Sequence, residues 1–169
     1  VTGKRGIRYR LIGQRDLISQ CIRLHGEYEP ELQLVSAHIL AGRRGHVIDA
    51  GANMGSYSIP LARQFPQIEI IAFEPQRTIY RQLVENIELN AATNVLPVHL
   101  GLSDREADVA TTVPHYESEP NIGAFSLDDE VRRNQYEVKT AGGEETIRLV
   151  PLDTFEFANV RLIKIDVEG

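Results

Sequence analysis

The chain has 169 residues, of which 42% are hydrophobic and 25% charged, and its formal net charge at pH 7 is -6. This composition is typical of a single globular domain with an apolar core. The basic residues are scattered, which argues against nucleic-acid and anionic-membrane partners. No window approaches the roughly 18 apolar residues of a membrane span. The single cysteine, Cys21, excludes an internal disulfide, and we expect a reducing, cytoplasmic environment.

Residues 1–45 predict an N-terminal helical cover. Asp16 is a good N-cap for a first helix that would end at Gly26, and Pro30 suits the first turn of a second helix. The apolar spacing predicts their buried faces. These faces would carry Leu17, Cys21 and Leu24 in the first helix, and Leu34, Ala37, His38 and Ala41 in the second.

Residues 46–104 alternate between strand and helix patterns. The strands are HVIDAG, EIIAFEP and VLPVHLGLSD, and the helices are MGSYSIPLARQF and QRTIYRQLVENIELN. The last helix places Ile79, Leu83 and Ile87 on one face. Near-continuous apolar strands separated by helices predict an α/β fold with a doubly wound, mostly parallel sheet. This βαβαβ segment would bind a cofactor.

Residues 105–150 are polar and interrupt the alternation. ADVATTV and ETIRLV within them have strand character and predict a β-rich antiparallel insertion on the substrate side. Residues 151–169 then carry a further apolar strand, VRLIKIDVEG. With nothing after Gly169, this strand would be an exposed apolar edge. We therefore expect either a fragment that lacks its C-terminal strands or a homo-oligomer that pairs along this edge.

The segment DAGANMG, which follows the first strand, predicts a ligand-binding bend. Ligands of open α/β sheets bind beyond the carboxyl ends of the strands, and glycine lets them approach the backbone. Glu74 lies 19 residues after Gly55, about where an acid binds the hydroxyls of a ribose. The pattern indicates a cofactor that contains a nucleoside.

The spacing of this bend disfavours a dinucleotide. A G-x-G-x-x-G motif that begins at Gly51 would need glycine at Asn53 and Ser56, and no Gly-Lys-Ser/Thr phosphate loop is present. The bend suits the amino-acid end of S-adenosylmethionine, whose carboxylate could use bend amides and whose ammonium needs an acceptor. An NAD(P)-dependent oxidoreductase and a non-catalytic S-adenosylmethionine-binding module remain the alternatives.

Several segments in order resemble the FkbM family of S-adenosylmethionine-dependent methyltransferases, which have a Rossmann-like sheet. They are HGEYEPEL, HVIDAGANMGSYSIPLA, IAFEPQRTIYRQLVENIELN, HLGLSD, NIGAFSL and VPLDTF followed by RLIKIDVEG. The resemblance implies S-adenosylmethionine as cofactor and O-methylation of a small-molecule or saccharide hydroxyl. Further strands of the family pattern are missing after IDVEG.

The candidate site residues fall into two groups. The expected cofactor-binding residues are Asp49, Gly51, Ala52, Asn53, Gly55, Glu74, Ser103, Asp104 and Glu29. Of these, the resemblance alone suggests that Ser103 and Asp104 contact the adenine and that the region of Glu29 covers the cofactor. The expected catalytic residues are Lys164, Asp166 and Glu168, which alternate on one side of a strand.

Each assignment has a structural alternative. Asp49 could hold the ligand ammonium through water or only order the bend. Lys164 must pair with an acid such as Asp49 or Asp166, because a lysine in an apolar strand is costly when unpaired. Asp166 and Glu168 could orient the substrate, act as base or belong to a purely structural ion-pair network. NIGAFSL could cover the site or be a surface turn. None of the five histidines lies in a metal motif, so we predict no metal site.

Overall fold

The computed structural model describes residues 1–13, 15–116 and 140–167. Glu168 and the NIGAFSL segment, for which site roles were predicted, lie outside these ranges. The helices are α1 (Leu17–His25), α2 (Pro30–Leu40), α3 (Ser58–Gln64) and α4 (Arg77–Leu89). The strands are β1 (Gly45–Ala50), β2 (Ile68–Phe73), β3 (Val95–Val98), β4 (Gly101–Leu102), β5 (Ala107–Pro114), β6 (Thr140–Val150) and β7 (Val160–Ile165).

The main sheet is parallel and confirms the predicted α/β class. Its strand order is β3-β2-β1-β7, so the first strand lies inside the sheet and later strands are added on both sides of it. In the register, Asp49 of β1 lies beside Ala72 of β2 and Lys164 of β7. Because the strands are parallel, the chemically important ends of β1, β2 and β7 meet at one edge.

Both faces of the sheet are apolar. Val47 faces the larger core, which α1–α3 and the N-terminal segment cover, whereas Ile48 faces a smaller cluster with Ile71 and Phe73. Phe155, from the connection before β7, packs edge-on against Phe73 at 5.4 Å between ring centroids. The apolar runs in β1 and β2 thus reflect burial on both sides.

The third predicted strand was too long. It ends at Val98, where a tight turn begins with the amide of Leu100 donating to the carbonyl of Val98. Gly101–Leu102 then pairs in parallel with β6 in a second sheet of order β4-β6-β5. The predicted antiparallel pairing inside the insertion is confirmed, between β5 and β6.

The helix ends of the N-terminal cover were predicted correctly, but its buried faces were wrong. Asp16 accepts the amide of Ser19 at 2.8 Å, and Gly26 ends α1 in the left-handed conformation. The exposed residues include Leu17, Leu24, Leu34, His38 and Ala41, while Cys21 and Ala37 are half-buried. The buried positions are instead Ile18, Ser19 and Ile22 in α1, and Gln33, Ser36 and Leu40 in α2.

Contacts with Tyr57 explain why α2 buries polar residues rather than the predicted apolar face. The side-chain amide of Gln33 donates to the Tyr57 carbonyl at 2.8 Å, and the hydroxyls of Ser36 and Tyr57 are 2.8 Å apart. Polar side chains with such partners can be buried at little cost. Hydrophobic periodicity does not detect partners that lie elsewhere in the chain.

The edge strand β7 pairs with β1 on one side. Two apolar residues of β7, Ile163 and Ile165, are 45% and 70% exposed, so the predicted apolar edge is present. Pairing of a second copy along it stays a prediction. Among the described residues, no helix has both the length and the apolarity required to cross a bilayer.

Two asparagines on successive turns of α4 clamp the N-terminal segment to the domain. Asn90 bonds the backbone N–H and C=O of Arg8, and Asn86 bonds those of Arg10. Asn86 also donates to the Met54 carbonyl at 2.9 Å, so one buried amide joins the segment, the helix and the bend after β1. The asparagine side chains thereby provide the backbone of this segment with the hydrogen bonds that a neighbouring strand would otherwise make.

Asn86→Ala should lower the free energy of unfolding by about 2–4 kcal/mol, because it leaves several buried backbone groups without partners. Chemical denaturation measures this change. Glu88→Ala is the matched control on an exposed position of the same helix, and it should shift stability by less than about 0.5 kcal/mol. Equal effects of the two substitutions would contradict the clamp.

Candidate functional site

A cavity lies beyond the carboxyl ends of the main-sheet strands. The tips of β1 and β2 form its floor, with Gly51 and Glu74 among the lining residues. Tyr28 and Glu29, between α1 and α2, form one wall. The opposite end is mostly apolar and is lined by Leu100, Leu102 and Leu149. This edge of a parallel sheet is where α/β proteins bind their ligands.

The backbone amides of the bend are already bonded within the protein. Those of Gly51 and Ala52 donate to the Phe73 carbonyl at 3.1 and 2.9 Å. The amide of Asn53 donates to the Glu74 carboxylate, and the amides of Met54 and Gly55 also have acceptors in the bend. The amides of residues 51–55 thus have acceptors within the protein, and the expectation that they hold a ligand carboxylate stays a prediction. The bend is a rigid wall that holds β2 against β1.

Glu74 is a buried carboxylate at the tip of β2. It is 4% exposed, and its two oxygens accept the amides of Asn53 and Gln76 at 3.0 and 2.9 Å. Burial raises the pKa of Glu74 to about 7, against the opposing effect of the two amide bonds. Because each oxygen can accept a further bond, the group can receive two neighbouring hydroxyls from the cavity.

Lys164 is the centre of a charge network that joins the buried Asp49 to the exposed Asp166. Its ammonium donates to the Gly51 carbonyl at 2.8 Å and lies 3.1 Å from Asp49 and 3.4 Å from Asp166. The predicted ion pairing is present. Asp49 is completely buried and also accepts the Ser58 hydroxyl at 2.6 Å, so its charge is balanced beneath the cavity.

The wall between α1 and α2 contains a backbone outlier. Glu29 has φ 47° and ψ 59°, although it is neither glycine nor asparagine, and its side chain does not cap α2. Tyr28, its neighbour in the chain, also lines the cavity. Burial and then the Glu29 charge raise the pKa of Tyr28 to about 12, so this phenol keeps its proton at neutral pH.

The structure brings most of the predicted site residues together. The cavity is lined by Glu29, Gly51, Ala52, Asn53, Glu74, Ser103, Lys164 and Asp166. Asp49, Gly55 and Asp104 are not among its lining residues. Gly55 packs against Ile59 and Leu83, and Asp104 is an exposed partner of Arg105.

Other lining residues were not predicted from the sequence, including Leu17, Ile18, Tyr57, Gln76, Leu149 and Val167. Gln76 directly follows Glu74 and Pro75, and position alone could have suggested it. Tyr57 and Leu149 carry no comparable local signal. They reach the cavity because α3 and β6 pack beside the strand tips.

The fold and cavity define a Rossmann-like α/β domain with a ligand site at its strand tips. Residues 49–169 match the family described as the methyltransferase FkbM domain. This segment is the larger part of the chain, and the chain belongs to that family.

The chain is also similar to curated proteins and to a solved structure. The chain is 32% identical over 124 residues to methyltransferase sdnD of Sordaria araneosa, covering 72% of this chain and 43% of that protein. It is 29% identical over 140 residues to methyltransferase 1 of Beauveria bassiana, covering 73% of this chain and 54% of the relative. The chain thus spans about half the length of these relatives. A solved structure, precorrin-6y C5,15-methyltransferase from Geobacter metallireducens, aligns over 54% of this chain and 49% of its own with 23% identity and a TM-score of 0.38.

Gly51→Ala should destabilise the fold by at least about 3 kcal/mol, because φ is +81° and an added Cβ would lie 2.0 Å from the Asp166 carbonyl oxygen. Gly42→Ala is the matched control, since φ there is +69° but no atom lies within 4 Å. It should cost only about 1 kcal/mol of backbone strain. Denaturant unfolding compares the two, and equal losses would rule out the close approach of β7.

Ionisation of Glu74 should destabilise the fold as pH rises from about 4.5 to about 7. The folded protein holds this proton more tightly than the unfolded chain, whose carboxyl has its ordinary pKa of 4.5, so the free energy of unfolding falls across that window. Ionisation of Glu74 should lower the free energy of unfolding by about 3 kcal/mol across this window. Denaturation at pH 5 and pH 8 should show that much less pH dependence in Glu74→Gln than in the unsubstituted protein. Identical pH dependence in both would contradict burial of the charge.

Proposed function

We propose that the chain binds S-adenosylmethionine and belongs to an enzyme that transfers the methyl group to a hydroxyl oxygen of a small molecule or saccharide. The observation that carries the cofactor assignment is the buried Glu74 carboxylate, which faces the cavity from the tip of β2. Membership of the methyltransferase FkbM domain family supports the reaction class. The oxygen acceptor rests on the family resemblance.

The cavity fits the parts of this cofactor in sequence. With the ribose hydroxyls on Glu74, a purine would extend toward the apolar end at Leu100, Leu102 and Leu149, with Ser103 at its edge. The methionine part would extend the other way, past the bend toward Lys164 and Asp166. This order follows the strand order β3-β2-β1-β7 along the tips.

Charge also favours a cationic ligand. Three carboxylates line the cavity, from Glu29, Glu74 and Asp166, against the ammonium of Lys164. That ammonium already lies beside Asp49, so the lining keeps a negative excess even though Glu74, with a pKa of about 7, is only partly ionised at neutral pH. The ammonium and sulfonium groups of S-adenosylmethionine complement this excess.

The residues of the chain would contribute binding, alignment and exclusion of water. The sulfonium itself activates the methyl group, so a strongly basic side chain is not required to start the reaction. The protein would therefore contribute mainly alignment of donor and acceptor and exclusion of water. Gly51, Glu74 and Lys164 belong to bonded networks that make this placement rigid.

Isothermal titration calorimetry tests the cofactor assignment with S-adenosylmethionine, S-adenosylhomocysteine and NAD. We expect the first two to bind and NAD not to bind. Glu74→Gln should weaken binding of both at least about tenfold, because an amide cannot accept both ribose hydroxyls and both protein amides.

Glu69→Gln is the matched control. Glu69 lies on the same strand, and its half-exposed carboxylate pairs with His46 at 2.9 Å. It should leave both affinities within about twofold. Binding of NAD alone would overturn the proposal in favour of an oxidoreductase, and unchanged affinity in Glu74→Gln would overturn the ribose assignment. Binding without methyl transfer would favour a non-catalytic module.

A further inference from the structure

Glu29 differs from the other acids that line the cavity. Both oxygens of Glu74 hold backbone amides, and Asp166 lies 3.4 Å from the Lys164 ammonium. Within residues 1–13, 15–116 and 140–167, the carboxylate of Glu29 has neither an amide donor nor a cation beside it. Its charge lies close enough to the Tyr28 phenol to contribute to the raised pKa of that group. It is thus the lining carboxylate with the most unused acceptor capacity.

The backbone at Glu29 shows that this placement has a cost. A non-glycine residue in the left-handed region costs about 1–2 kcal/mol. Glu29 does not offset that cost by capping α2, although it occupies the N-cap position. Glu29 is instead an exposed residue that lines the cavity wall beside Tyr28. Strain of this kind at a cavity is an indication of function.

The position of Glu29 relative to the strands identifies which part of a ligand it meets. It lines the cavity together with Lys164 and Asp166, on the side of β1 and β7 away from the apolar end. Glu29, Lys164 and Asp166 also line a shallow groove between α2 and β7. Glu29 therefore lies at the boundary between the cavity and the surface, where a second molecule can approach the bound one.

We propose that Glu29, beside Tyr28 on the cavity wall, faces the transferable methyl group and accepts the proton of the acceptor hydroxyl. This inference rests on the proposed function. In the step, the hydroxyl oxygen forms a bond to the methyl carbon while the carbon–sulfur bond breaks and its electron pair stays on sulfur as a neutral thioether. The hydroxyl proton moves to the Glu29 carboxylate and from there to solvent.

Three ligands that differ at the sulfonium position test this placement without a known methyl acceptor. S-adenosylmethionine has a positive sulfur with a methyl group, S-adenosylhomocysteine has a neutral sulfur, and sinefungin has a primary amine in place of the methylated sulfur. Glu29→Gln should weaken sinefungin at least about tenfold and S-adenosylmethionine severalfold, and it should change S-adenosylhomocysteine less than about twofold. Calorimetry measures all three affinities.

Two further variants control for folding and position. Glu31→Gln makes the same change on an exposed residue of the same helix turn and should alter none of the affinities. Tyr28→Phe removes the hydroxyl of the neighbouring lining residue and should change each affinity less than Glu29→Gln changes sinefungin. Thermal unfolding confirms that each variant folds.

The outcomes separate this inference from the proposed function. An equal loss of affinity for all three ligands in Glu29→Gln would overturn the inference. Glu29 would then lie at the methionine ammonium or have only a structural role. No loss for any ligand would also overturn the inference. If the unsubstituted protein binds none of the three ligands, the proposed function itself fails.

Discussion

The buried contact of Lys164 with Asp49 and the Gly51 carbonyl is the constraint on which the site depends. It joins β7 to β1 at the point where the bend begins, and an unpaired charge there would cost several kcal/mol. Gly51 permits the contact, because any side chain would collide with the carbonyl of Asp166. The position of β7 beside the cavity and the shape of the bend therefore depend on one another.

Glu74 links the tip of β2 to the bend after β1 in a similar way. Its carboxylate binds amides on both sides, one from the bend after β1 and one from the start of α4. The protein keeps a carboxyl group buried although burial raises its pKa to about 7. Such a group lowers stability at neutral pH, and the proposed role in ligand binding would account for keeping it. The site is therefore built from bonds that hold strand tips together and leave a few acceptors facing the cavity.

Local patterns predicted most of the fold and much of the site. The apolar strands, the cap at Asp16 and the stripe of Ile79, Leu83 and Ile87 all depend on near neighbours in sequence, and all are present. The inward face of α2 and the end of β3 could not be predicted in this way. Tyr57 and β6 supply the partners that decide them, and both are distant in sequence.

The sequence by itself determined the α/β class, the bend after the first strand, the acid after the second and the family to which the chain belongs. Only the tertiary structure decided what these residues do. Packing used the amides of residues 51–55 inside the protein, buried Asp49 beneath the cavity, turned Gly55 toward α3 and α4, and left Glu29 facing the ligand space. The reason is physical: hydrogen bonds and close contacts between distant segments determine which polar groups remain available to a ligand.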